Sequence, residues 1–356
     1  MKVRADDIAR LIEMAPSVEG QPLAQLSLAR SVLALGHADK ARELAERAVA
    51  GAPADAQVLV FAAEVFSHGI PEWHFNLVRD EARNAAYDAA LRRAIRAGMK
   101  VLEIGSGSGI LAMMAARAGA SEVITCEANP AVAAVARANI ASNGFADRVR
   151  VVNKHSSDLD VRVDLGGPAD LLLSEIVSNT VLGEDVLPVM EDSSRRLMRP
   201  GAAIIPARAV ARVALARSEV VARNHIGFVE GFDLGAMNRL APPRWELGVG
   251  DASLSLCSQA HDLFVFEFEP ADPHPADSSS LTLTTERDGA NCVVQWLRLG
   301  MDATGIYENR PTPGASSCWA VLAYPFHPFA SLEAGRKVVV HGAHDRAELR
   351  IWAEPA

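Results

Sequence analysis

No apolar run in this 356-residue chain reaches the roughly 18 residues that a membrane-spanning helix needs, so no membrane anchor is expected. The first residues, Met1-Lys-Val-Arg-Ala-Asp-Asp7, open an amphipathic helix instead of leading into an apolar segment, which argues against a secretion signal. Cysteine is scarce and scattered. Cys126, Cys257, Cys292 and Cys318 form no Cys-x-x-Cys pair, so neither a zinc site nor a disulfide framework is expected, and a reducing cytoplasm is the compartment that fits. Positive charge is also short, with 35 Lys and Arg against 44 Asp and Glu and a net charge of −9. That balance argues against a nucleic-acid backbone as the main partner and is compatible with a basic substrate.

What the chain does contain changes character along its length. Residues 1–70 read as helical, with apolar positions recurring at helical spacing through Leu28, Val32 and Leu35, then through Ala41, Leu44, Ala45, Ala48 and Val49. Gly36 and Pro53 separate these helices, and Val58 to Phe66 supplies a third. Small residues in a helix–turn–helix of this length suggest a tetratricopeptide-like pair. Only about one and a half repeats are visible, and a solenoid needs about three, so these helices are expected to pack on the neighbouring domain. Pro71-Glu-Trp-His-Phe75 reads as an aromatic turn, and Asp80 to Arg96 as a helix whose first-turn acids, Asp80 and Glu81, complement the helix dipole.

Residues 99–206 alternate apolar strands with helices, the mark of a parallel sheet covered on both faces. Strands are expected at Val101–Ile104, Glu122–Cys126, Val149–Val152, Leu171–Leu173 and Ala202–Ile205. From about Pro206 short alternating strands dominate, among them Ala209–Ala214, Leu263–Phe268, Leu281–Thr285, Cys292–Leu299, Trp319–Tyr324, Lys337–His341 and Glu348–Trp352. They read as an antiparallel barrel or sandwich, interrupted by a segment at Phe228–Asp251. The expected class is therefore α/β: a helical region over 1–70, a Rossmann-like domain over 71–206 and a β-barrel domain over 207–356.

The stretch Lys100-Val-Leu-Glu-Ile-Gly-Ser-Gly-Ser-Gly-Ile-Leu111 organises the middle domain. Gly105, Gly107 and Gly109 follow a strand and open a helix, where glycine lets the backbone approach a ligand. A dinucleotide fingerprint would place its third glycine at position 110, which is Ile110, and no Lys-Ser/Thr follows, so a P-loop is excluded. Glu127 ends the next strand, 18 residues after Gly109, where a carboxylate can accept both ribose hydroxyls. Glu103 is a carboxylate within an apolar strand. It needs a partner there, and a ligand ammonium is one candidate.

This loop, with an acid closing the second strand, resembles the class I S-adenosylmethionine (AdoMet) methyltransferases over about residues 100–205. The resemblance then narrows. Ser174-Glu175 ends the fourth strand and Glu184 follows nine residues later, a spacing similar to the double-Glu loop of the protein arginine methyltransferases. Arg79-Asp-Glu-Ala-Arg83-Asn84 resembles that family's helix before the fold, whose arginine grips the AdoMet carboxylate. Asn143-Gly-Phe-Ala-Asp-Arg-Val-Arg-Val-Val-Asn-Lys-His-Ser156 and Leu182-Gly-Glu-Asp-Val-Leu-Pro188 are similar to its type III, monomethylating branch. Trp73-His-Phe75 and the upstream helices are more like its repeat-bearing branch.

Over about 71–356 the resemblance implies an AdoMet-dependent protein arginine N-methyltransferase. It implies Glu175 and Glu184 as the guanidinium clamp, and Arg83, Glu103, Gly105, Gly107, Gly109, Glu127, Ser156 and Ser157 around the cofactor. It also implies an arginine-containing protein or peptide as substrate and a homodimer formed through an arm at about 227–251. The chain departs from the family at three points. Ser316-Ser-Cys318-Trp319 stands where the family has a His-Trp pair, so Cys318 replaces the histidine that helps to position the double-Glu loop. Ser178 replaces an acid of the type III branch, and Ser157 an acid that faces the adenine amino group. Trp319 has two readings, packing against the substrate or within the barrel core, and Ser156 and Ser157 either contact adenine or cap a turn. A small-molecule or specialised-peptide acceptor is the alternative enzyme reading, and a non-catalytic binding scaffold is the other.

Overall fold

The computed structural model describes residues 15–268 and 273–355. The helix expected at Met1–Asp7 and Asp272 of the expected turn cluster lie outside them. The described chain divides into two compact units, up to His74 and from Phe75.

In the first unit, helices α1 (Pro22–Ala34), α2 (Ala38–Gly51) and α3 (Ala56–Phe66) enclose a core of Leu26, Ala29, Val32, Leu44, Ala48, Val58 and Ala62. Asp55 fixes the start of α3 by accepting hydrogen bonds from the Gln57 and Val58 amides. Pro71–Phe75, read from sequence as a turn, instead enters a short helix, α4 (Trp73–Arg79). Pro71 lies two residues ahead of that helix, where its missing N–H costs no hydrogen bond.

The second unit opens with α5 (Glu81–Ala94), capped by Asp80, whose carboxylate accepts from the Arg83 amide at 2.9 Å. Five parallel strands follow: β1 (Lys100–Ile104), β2 (Glu122–Cys126), β3 (Val149–Val152), β4 (Ala169–Ser174) and β5 (Met198–Ile205). Their order is β3-β2-β1-β4-β5. The chain moves outward from β1 to β2 and β3, then returns to β4 on the other side, so the direction of winding reverses between β1 and β4. A crevice forms at the carboxyl ends of strands flanking such a reversal. Gly105, Glu127 and Glu175 immediately follow β1, β2 and β4, and the topology brings all three to that edge.

Between β1 and α6 (Ile110–Arg117) the glycine loop turns tightly. The Gly105 and Ser106 amides both donate to the Cys126 carbonyl at 3.0 Å, and the Gly109 amide donates to Ser106 at 2.7 Å. Gly109 has φ +83°, and a Cβ there would sit 3.2 Å from Ile140 on α7 (Pro130–Ser142). Both the backbone conformation and the α6–α7 approach therefore require glycine.

Beyond β5 the chain builds antiparallel sheet. Strand β6 (Arg208–Ser218) is central, pairing with β10 (Leu254–Leu256), β11 (His261–Glu267) and β13 (Cys292–Gly300). Strand β13 also pairs with β14 (Ile306–Glu308) and with β15 (Val321–Pro325), which pairs with β9 (Trp245–Leu247). A second sheet is ordered β12 (Asp277–Thr284), β16 (Lys337–His344), β17 (Leu349–Pro355). Phe264, Phe266, Leu283, Val338, Val340 and Ile351 from both sheets share one buried core. The sequence underestimated β6, which runs four residues past Ala214, and it missed the three-residue strands β9, β10 and β14, which are too short to show alternation. Trp319, expected to open a strand, lies two residues before β15.

The expected interruption is partly right in extent. Residues Phe228–Leu240 form a small hairpin, β7 (Phe228–Val229) with β8 (Phe232–Asp233), and a 3-10 turn, but Trp245–Leu247 rejoins the sheet.

The glycine loop yields the first prediction. Gly109→Ala combines a left-handed backbone with a steric conflict against Ile140, and is expected to lower stability by about 1–3 kcal/mol in urea denaturation. Retention of full stability would show that α6 and α7 separate more easily than their packing suggests.

Candidate functional site

The residues at the sheet edge form a buried, mostly acidic cluster around one guanidinium. Arg83 lies on the first turn of α5 and is 1% exposed. Its Nη2 donates to Glu175 Oε2 at 2.9 Å and its Nη1 to Asn84 Oδ1 at 2.7 Å. The guanidinium carbon sits 5.1 Å from the ring centre of Tyr87, one helical turn along, and the Tyr87 hydroxyl donates to the Ser174 carbonyl at 3.1 Å. Helix α5 is thus pinned across the end of β4. Burial pushes the Glu175 carboxyl up to about 7, although the Arg83 charge pulls the other way, and the Glu184 charge adds to the rise.

Glu184 stands at the solvent-accessible rim with φ +57°. Enclosure of its carboxyl, together with the Glu127 charge, raises its pKa as well. Glu127 accepts from the Gly107 amide at 3.2 Å and the Asn129 amide at 2.9 Å, which fixes it beside the glycine loop. Glu103 is 1% exposed, and burial lifts its carboxyl to about 8, opposed by the Thr125 hydroxyl and the Arg83 charge. Burial thus raises Glu103, Glu175 and Glu184 alike, so the cluster favours a nearby cation. Among the described residues, Arg83 Nε, Glu103 Oε2 and Ser108 Oγ are buried without a hydrogen-bond partner. Such orphaned groups carry a desolvation penalty that a polar ligand can remove.

The double-Glu loop is held from the β-sheet domain. Trp319 is 5% exposed, and its indole N–H donates to the Val177 carbonyl at 2.8 Å. Asn179 is gripped on both sides: its side chain accepts from the Ala320 amide at 2.9 Å, and its carbonyl from Gln295 Nε2 at 3.0 Å. The Ser178 hydroxyl stays inside the loop, accepting from the Gly183 amide at 2.8 Å. Cys318 meets the cluster at Asp80, its amide donating to Oδ2 at 2.9 Å and its thiol bonding the same carboxylate.

Ser156 and Ser157 lie in a 3-10 turn. The Ser156 carbonyl accepts from Arg196 at 3.0 Å, and the Ser157 hydroxyl is 2.8 Å from His155 Nδ1 and 3.2 Å from Asp158. These contacts are those of turn capping. Sequence reasoning missed Tyr87, Asn179 and Tyr307. Tyr87 could have been found, because it follows Arg83 by four residues and so shares its helix face. Asn179 and Tyr307 carry no local pattern.

Comparison with known proteins places these residues in context. The family model for ribosomal protein L11 methyltransferase (PrmA) matches residues 89–206. The chain is 35% identical over 292 residues to an arginine N(omega)-methyltransferase of Streptomyces achromogenes subsp. streptozoticus, covering 81% of this chain and 80% of that protein. It is 31% identical over 264 residues to a protein arginine N-methyltransferase 7 of Oryza sativa subsp. japonica, covering 67% of this chain but only 36% of that longer protein. In fold it is similar to the Trypanosoma brucei PRMT1 enzyme–prozyme complex with AdoHcy, with TM-score 0.69, 18% identity, and 81% of this chain and 98% of that chain covered.

The Arg83–Glu175 pair yields a prediction about stability. With a folded-state pKa near 7 and an unfolded one near 4.3, Glu175 binds its proton more tightly in the native protein, so its contribution to stability declines as pH rises through that window. Arg83→Met removes the compensating charge and raises the carboxyl further. The variant is expected to lose about 3–5 kcal/mol at pH 8, and about 1–2 kcal/mol less than that at pH 6, where the acid takes up a proton. Equal losses at both pH values in urea denaturation would mean that the pair is not coupled to folding.

Proposed function

Because the chain belongs to the protein arginine methyltransferase family, whose members are AdoMet-dependent enzymes, we propose that Glu175 and Glu184 clamp an arginine guanidinium for methylation at a terminal nitrogen. The observation that carries this reading is the placement of a buried and a rim-exposed glutamate at one sheet edge, joined by a loop that four hydrogen bonds hold in place. When bound, AdoMet supplies an electrophilic methyl group. The residues that would hold it are Arg83 at the carboxylate, Gly105, Gly107 and Gly109 along the loop and Glu127 at the ribose, with Glu103 facing the ammonium side and Ser156 and Ser157 near the adenine. The unpartnered Arg83 Nε and Ser108 Oγ fit such a polar ligand.

An arginine side chain arrives fully charged at any physiological pH and is a poor nucleophile. Two carboxylates match its forked donors, draw positive charge away from one terminal nitrogen and fix its direction. As the nitrogen gains a methyl group it loses a proton. Glu184, open to water, takes that proton and passes it to solvent, while Glu175, buried beside Arg83, keeps the guanidinium oriented.

In this reading residues 71–206 hold the cofactor and 207–356 support the acceptor side. The exposed Phe228, Phe232 and Leu240, at 79%, 70% and 81% accessibility, form the contact of a homodimer. No helix among the described residues is long and apolar enough to cross a membrane. The four free thiols fit a reducing cytoplasm.

The acceptor has two candidates. A protein or peptide arginine follows from the family. A small molecule bearing a guanidinium is favoured by the Streptomyces relative, which is named for arginine and not for protein arginine, and by Ser178, a neutral residue in the loop between the two glutamates. Incubation with AdoMet and either arginine-rich peptides or free arginine, followed by mass spectrometry, separates the two and reports mono- against dimethylation.

Two outcomes test the clamp. Glu184→Gln is expected to keep AdoMet affinity in calorimetry while kcat falls by about 10²–10³, and unchanged turnover would remove the clamp. The kcat/KM for the acceptor is expected to rise tenfold per pH unit up to about pH 7, as Glu175 ionises, and then to level off. A profile flat from pH 5.5 to 8 would exclude Glu175 as an essential carboxylate.

A further inference from the structure

We propose that Tyr307 is a positioning residue for methyl transfer, joining the Arg83 helix to the double-Glu loop through its hydroxyl. The inference rests on the arginine-methylating reading above. The hydroxyl stands at the middle of a continuous chain of hydrogen bonds. It donates to Asp80 Oδ2 at 2.9 Å, and Ser317 Oγ lies 2.8 Å away on its other side. Since Tyr307 gives its only proton to the Asp80 carboxylate, the Ser317 hydroxyl donates to the Tyr307 oxygen. That leaves Ser317 Oγ free to accept from the Trp319 amide at 3.1 Å.

At one end of this chain Asp80 caps α5 and, through the Arg83 amide, sets the start of the helix that presents the buried guanidinium. At the other end the Trp319 indole holds the Val177 carbonyl, two residues from Glu175. The Tyr307 ring is itself buried, 6% exposed, with its centre 5.4 Å from that of Trp319. One phenol therefore fixes the distance between the cofactor-side arginine and the acceptor-side loop, although neither lies near it in sequence.

Chemistry explains why a hydroxyl is needed at this point. Asp80 is buried, and burial alone would raise its pKa. Hydrogen bonds from the Arg83 and Cys318 amides, from Tyr307 and, last, from the Cys318 thiol outweigh that effect and lower it. The side chain at 318, next to the same carboxylate, is a thiol, a weak donor. The strong neutral donor comes instead from β14, a neighbouring strand. Without it Asp80 keeps, from the 316–319 loop, only the Cys318 amide and its weakly donating thiol, and the Ser317 branch of the link to the helix cap is cut.

The test compares the parent enzyme with Tyr307→Phe and with the double variant Tyr307→Phe/Cys318→His, in which an imidazole N–H at 318 can replace the lost donor. Tyr307→Phe is expected to lower kcat about ten- to hundredfold, as a small misplacement of reacting groups does, while the Kd for AdoMet changes less than threefold. The double variant is expected to recover at least tenfold of that loss. A purely structural role would lower the melting temperature and leave kcat per folded molecule within twofold. That result, or failure of the imidazole to recover any activity, overturns the proposal. Should Tyr307→Phe melt below the assay temperature, Ser317→Ala cuts the same chain one link further on and is read by the same kcat criterion. If the parent methylates no guanidinium at all, it is the functional reading that fails. An active parent beside an unaffected Tyr307→Phe defeats the positioning role alone.

Discussion

The constraint on which the active edge depends is the cost of burying charge. Arg83 is almost wholly enclosed, and an unpaired guanidinium at that depth would be untenable. Glu175 neutralises it, Asn84 takes a second donor, and the Tyr87 ring lies beside its carbon. Burial also pushes the carboxyls of Glu103 and Glu175 upward. A site of this kind is poised for cations. In the proposed clamp, a guanidinium between Glu175 and Glu184 would supply positive charge to this acidic cluster.

The two halves of the second unit meet at that cluster. The parallel sheet brings Gly105, Glu127 and Glu175 to one edge, because all three follow the ends of strands that point the same way. The antiparallel sheets contribute Tyr307, Trp319, Ala320 and Gln295, all of which grip backbone or cap groups of the other half. Arg93 and Asp302, and Arg346 and Glu191, add ion pairs across the same boundary. The β-domain thereby backs a loop that is also anchored by its own Val177, Val181 and Leu182 in the core. Rigid backing matters because reactions of oriented groups lose rate steeply with small displacements.

The family relationship and the local chemistry agree on arginine as the methyl acceptor while leaving different marks on the chain. The glycine loop, Arg83 and the two glutamates keep the pattern of the family. Position 318 does not, and beside its thiol the Asp80 carboxylate accepts from a tyrosine on another strand.

The sequence by itself determined the parallel sheet, the glycine loop and the acids Glu127 and Glu175 at strand ends, while Arg83 and Glu184 stood out only through the family resemblance. The sheet, the loop and the two strand-end acids leave local signatures: a continuous apolar strand, a glycine at a left-handed turn, an acid at a strand end. It also marked Cys318 as a departure. Only the tertiary structure decided that Arg83 and Glu175, 92 residues apart, share a buried ion pair. It decided equally that Tyr307 donates a hydrogen bond to Asp80, 227 residues away, and that Trp319 serves as an anchor for Val177. The reason is physical. Strand, turn and cap preferences act over a few residues and are written in composition and spacing. The pairing of a buried charge depends on which partner the folded chain carries to it, and no spacing in the sequence records that.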